Sequence, residues 1–164
     1  MADKVLYDID GQEVVTNALL DLLNDCPALN GIEVKYSTLG STSGMAMFPT
    51  SGSAIAREDV NILGRVKQIC EYPFILVFRA SGLTQSRKVN AKELLDNIGK
   101  WLEKQPIVVG TQEYKLESYP DLSRGRKFDE IRRSSVSYLD SENESKAENW
   151  VINITATYIN EFER

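Results

Sequence analysis

A chain of 164 residues with 42% hydrophobic and 26% charged side chains has the size and composition of one globular domain, able to bury roughly 70% of the surface its unfolded form exposes. Its 19 basic and 24 acidic residues give a formal charge of −5, which argues against a free-standing nucleic-acid binder, because phosphate affinity comes from clustered Lys and Arg. It has no histidine, so most hydrolytic and metal-assisted mechanisms lose their usual base, ligand or nucleophile partner, and no enzyme activity, catalytic residue, metal or cofactor is expected.

No window approaches the roughly 20 consecutive apolar residues of a membrane-spanning helix, and no membrane role is expected. The opening MADKVLYDIDG lacks the basic start and apolar run of a secretory signal, which implies a chain used in a cytoplasm. Cys26 and Cys70 are read as small core residues.

The first predicted element is a helix from about Gly11 to Asp25, capped by Asp10 with Glu13 in a capping box and closed by Pro27. Val15, Leu19, Leu22, Leu23 and Cys26 recur on its buried face. Ile32, Val34 and Tyr36 alternate with Glu33 and Lys35 as a short half-buried strand. The tract from Ser37 to Ala56 is rich in Gly, Ser and Thr yet holds Met45, Met47, Phe48 and Ile55. It reads as a flexible 37–56 loop that orders on a partner, since Met suits adaptable surfaces; a hairpin whose apolar residues reach the core is the alternative.

A long strand is predicted from Arg65 through the apolar run YPFILVFRA, with a bulge or break in pairing at Pro73. Phe74, Leu76, Phe78 and Ala80 take one face and Ile75 and Val77 the other, so both faces of this strand are expected to be covered. A second helix follows, with Thr84 or Ser86 as N-cap and Pro106 as its stop. It buries Ala91, Leu94, Leu95, Ile98, Trp101 and Leu102. Short strands are predicted at 107–109 and 113–116, and a loop over YPDLSRGRKFDEIRRSS. The chain closes with a hairpin: 133–139, a polar tip at 140–149, and a strand from Trp150 to Phe162. The whole is a single-domain α+β fold, an antiparallel or mixed sheet with two helices on one face and a long C-terminal β-hairpin.

No constellation carries chemistry. LGSTSG lacks the lysine of a phosphate loop, and Asp140, Glu142 and Glu144 lack the central Gly and terminal Glu of a calcium loop. Arg124, Arg126, Lys127, Arg132 and Arg133 form the strongest charge asymmetry; they read either as a solvated loop or as a contact with an acidic neighbour or a phosphate. The acidic tip at 140–149 could then meet the basic loop of an adjacent copy head to tail. Met45, Met47, Phe48, the five basic residues, Glu142 and Glu144 are therefore the candidate subunit, tube or connector contacts.

Three segments carry a family resemblance: GQEVVTNALLDLLN with its following strand, the SGMAMFPTSG tract, and above all YPFILVFRASGLTQSRKVNAKELLDNIGKWLEKQP. On these the chain resembles the minor capsid and tail-completion proteins of tailed phages and prophages of Gram-positive bacteria, in particular the tail terminator group. The resemblance implies an α+β subunit that forms a hexameric ring on the head-proximal end of the tail tube, ends tube polymerisation and presents a surface to the head connector. It implies a virion protein of the tail or neck, assembled in the host cytoplasm. DNA would pass through the ring without specific binding, which suits an acidic subunit. Another head-closure or neck protein is the near alternative. A small protein- or peptide-binding module, docking its ligand along the edge of the last strand, is the alternative of a different class.

Overall fold

A computed structural model describes residues 6–40, 43–81, 85–142 and 147–164. In chain order they form α1 (Ile9–Asn24), a 3-10 turn at Pro27–Leu29, β1 (Val34–Tyr36), β2 (Gly44–Pro49), β3 (Ala54–Val60) and β4 (Arg65–Ser81). Then come α2 (Gln85–Leu102), β5 (Ile107–Val109), β6 (Gln112–Tyr114), β7 (Arg126–Arg133), β8 (Tyr138–Glu142) and β9 (Ala147–Glu163).

The two 17-residue strands β4 and β9 pair antiparallel from Arg65↔Glu163 to Ser81↔Ala147 without a register shift. Each carries two shorter strands end to end on its free side. β3 and β2 flank β4, β7 and β8 flank β9, and β1 adds to β2 in parallel, giving a seven-stranded mixed sheet. β5 and β6 make a separate two-stranded ribbon.

Period-two alternation sorts the ladder into two faces. Val66, Cys70, Tyr72, Phe74 and Leu76 of β4 and Ile152, Ile154, Ala156 and Tyr158 of β9 are buried on one face. There they join Val15, Leu19, Leu22 and Leu23 of α1 and Leu95, Ile98, Trp101 and Leu102 of α2 in one core. The α+β architecture and the placement of both helices on one face are as expected. Cys26 and Cys70 are free and buried, and burial pushes both thiols up to about 11.

The structure corrects five expectations. The helices cover one sheet face only, so Ile75 is half-buried rather than enclosed. The 37–56 tract is not a loop throughout: β2 pairs with both β1 and β4, and Met45 and Met47 sit in the core, as in the hairpin alternative. The basic segment is not a loop, because β7 lies beside β9. β9 is central rather than an edge, which removes the last-strand docking site. Finally, the cap of α1 is Asp8, whose side chain accepts the Gly11 N–H, and α2 begins at Gln85, which puts Ser86 inside the helix and Thr84 outside the described residues.

Pro73 explains how one strand serves two neighbours. Its pairing with Thr155 of β9 is unbroken. On the other side β2 ends opposite Phe74 and β3 starts opposite Glu71, and the Pro73 carbonyl accepts the N–H of Thr50 in the crossover between them. The donor that proline lacks falls where the neighbouring strand changes, so no ladder bond is lost.

Removing a core side chain and an exposed one of equal size should have very unequal costs. Leu76→Ala, at a fully buried position, should cost about 3 kcal/mol, and Ile62→Ala, at a fully exposed one, less than about 0.5 kcal/mol. Urea denaturation of the two variants checks both values, and equal losses would contradict the layer assignment.

Candidate interaction surfaces

Asp8 organises Arg126, the one deeply buried basic residue of the 124–133 segment. Its Oδ2 accepts from Arg126 Nε at 2.8 Å and from the Tyr158 hydroxyl at 2.7 Å, and its Oδ1 accepts from Arg126 at 2.5 Å and from the Gly11 amide at 3.2 Å. Gly11 is required there, because a Cβ would overlap both Asp8 and the Arg126 guanidinium. Burial pushes the Asp8 carboxyl up, but hydrogen bonds from Arg126 and Tyr158 outweigh it and hold the group below its ordinary value. The cluster ties the start of α1 to β7 and β9. It is a structural fastener, and Arg126 is not available to a partner.

Arg133 is also drawn inward. Its backbone N–H, Nε and terminal nitrogen all reach Glu103 at the end of α2, at 2.8, 3.2 and 2.9 Å, and its stem lies across Gly99. A bulge in β7 between Phe128 and Glu130 changes the parity, so Arg126 and Arg133 both point to the helix side although they are seven residues apart. Lys127 and Arg132 take the open face, with Arg132 paired to Glu130. Arg124 stands exposed at φ +60 in the turn before Gly125. The five-residue cluster of the sequence is thus two structural arginines and three exposed cations.

At the acidic tip, Asp140 is exposed, Glu142 is described only through its backbone pairing with Glu148, and Glu144 lies outside the described residues. Of the Met-Phe set, Met45 and Met47 are buried on the helix side, and only Phe48 reaches the open face, beside Ile75. Among the described residues no three His, Cys, Asp or Glu side chains converge to hold a metal, and no helix is long and apolar enough to cross a membrane.

The open face holds an apolar depression of about 270 Å³. Val77 and Val151 form its floor, and Leu39, Phe48, Ile75 and Tyr138 its walls, with Arg79, Asp140 and Asn149 at one end. Arg79 is held there by Asn149 Oδ1 at 2.8 Å and the Gly40 carbonyl at 2.9 Å. At the other end of β4, the turn joining it to β3 presents Ile62 fully exposed and Leu63 87% exposed, with Val60 and Phe162 partly exposed nearby. Leaving two such side chains in water forgoes about 1.5–3 kcal/mol each. The sequence reading passed over this turn. Its signal was two branched aliphatics, Ile62 and Leu63, between the turn-forming Asn61 and Gly64, where polar residues are usual.

No family model and no curated protein matches this sequence.

The Asp8 fastener sets a pH dependence. Because the folded carboxyl titrates below its unfolded value of 3.8, its contribution is complete above that pH and is lost as the pH falls through the lower folded value. Asp8→Asn strands a buried guanidinium and should cost about 3 kcal/mol at neutral pH. Urea denaturation at a series of pH values should show the variant and the parent converging in acid; a constant offset down to roughly pH 2 would disprove the assignment.

Proposed function

We propose that the chain is a structural subunit of the neck or tail end of a tailed phage or prophage, forming a ring that caps the tail tube, ends its polymerisation and joins it to the head connector. The observation that carries this reading is the sheet's bare face. A two-layer subunit whose apolar depression and apolar hairpin turn both stand open is built to be completed by neighbours. The resemblance of the three segments supplies the kind of assembly, and the acidic composition suits a lumen that DNA traverses: six copies at −5 each make −30.

With Met45 and Met47 in the core, the contacts assigned to the tube or connector move to the C-terminal hairpin tip at 140–149 and to the exposed cations Arg124, Lys127 and Arg132. Of these, Asp140 on β8, Lys127 and Arg132 on β7, and Arg124 in the turn before it are exposed. In this reading the chain has no catalytic role, and it works in the virion after assembly in the host cytoplasm.

Inactivating the gene in the phage or prophage that carries it should yield filled heads and tails of uncontrolled length that stay separate in electron micrographs. Joined particles with tails of normal length would overturn the proposal.

A further inference from the structure

The turn between β3 and β4 is fully specified by two of its residues. Asn61 Oδ1 accepts from the amides of Leu63 and Arg65 at 3.0 and 2.9 Å, and Gly64, at φ +82, returns its N–H to the Asn61 carbonyl at 3.0 Å. This is a three-residue hairpin loop with glycine in the left-handed position. Nothing in its backbone asks for an apolar side chain at the two remaining positions. Ile62 and Leu63 nonetheless occupy them, held outward by a turn that is itself well bonded.

Thirteen residues of β4 separate Gly64 from Val77 in the floor of the depression, about 43 Å at 3.3 Å per residue along an unbroken ladder. The chain therefore cannot place its own turn in its own depression. We propose that Ile62 and Leu63 of one copy seat in the depression of a second copy. Two branched four-carbon side chains are a fitting load for about 270 Å³ walled by Leu39, Phe48, Ile75 and Tyr138. Charge does not oppose the contact: Arg79 and Asp140 offset one another at the socket, and on the open side of the projecting hairpin Arg57 is paired to Asp59 and Arg65 to Glu161, with Lys67 set opposite both acids.

Knob and socket are different patches at opposite ends of one strand, so the contact is heterologous. Each copy uses one of each, and association runs past a dimer to a ring or a filament. The inference supplies the subunit contact for the ring proposed above and rests on that reading only for the purpose of the ring, not for its formation.

Sedimentation velocity of the full chain over a concentration series is the test. The parent protein should grow beyond a dimer at about 100 μM. The double variant Ile62→Asp/Leu63→Asp should weaken association more than about 100-fold while keeping the parent's circular dichroism, since both positions are exposed. A socket variant, Ile75→Lys or the milder Tyr138→Ala, should behave likewise. An equimolar mixture of the tip variant and a folded socket variant should restore one contact and stop at a heterodimer, because only the first offers a socket and only the second a knob. A monomeric parent, a parent that saturates as a dimer, a tip variant that still assembles, or a mixture of folded variants that stays monomeric would each overturn the contact. Assembly that follows these rules while gene inactivation leaves phage tails normal would retain the contact and remove the phage reading.

Discussion

Everything in this molecule is referred to the β4–β9 ladder. Seventeen consecutive pairs in one register place every even-numbered residue of both strands on the helix side. A slip by one residue would move Tyr72, Phe74, Leu76, Ile152 and Ile154 into water and bring Thr155, Thr157 and Asn153 inward, so the alternation itself locks the register. The cost of such length is that no single neighbour can flank it. The chain solves this with two half-length strands on each side, and Pro73 sits at the junction where a missing donor does no harm.

The polar interior follows from the same geometry. Tyr158 and Arg126 converge on Asp8 because β7 and β9 present them to the helix side, and there a carboxylate, a guanidinium and a phenol satisfy one another in a region of low dielectric. The pair Glu103–Arg133 repeats the device at the end of α2. Both withdraw a positive charge from the surface. What remains outside is the face without helices, where an apolar depression lies beside one end of β4 and Ile62 and Leu63 stand exposed in the turn at the other end.

The helices were legible from residue spacing, since a 3.6-residue period repeated over four turns has few alternatives: Val15, Leu19, Leu22 and Leu23, like Leu95, Ile98, Trp101 and Leu102, are buried as the pattern requires. The central strand was legible for the same reason. β2 was not, because Gly, Ser and Thr surround it and only Met45 and Met47 show its inward face, so a strand sandwiched between two others resembled an adhesive loop. β7 was masked by its charges and by Gly125, which belongs to the turn before it rather than to a break within it, and by a bulge that spoils its period. Two of the residues named as surface contacts, Arg126 and Arg133, were misplaced on that account.

By itself, then, the sequence determined what short-range periodicity can carry: two amphipathic helices, the long apolar strand with its two faces, the closing hairpin, and a composition without histidine. Tertiary structure alone decided which charges are structural and which apolar residues are left in water. Asp8 and Arg126 are 118 residues apart, and no local pattern announces that their side chains meet. Likewise Met45 and Met47 are buried and Ile62 and Leu63 exposed because of how the strands pair: β2 lies between β1 and β4 with its methionines on the helix side, whereas Ile62 and Leu63 fall in the loop between β3 and β4, and local composition distinguishes neither case.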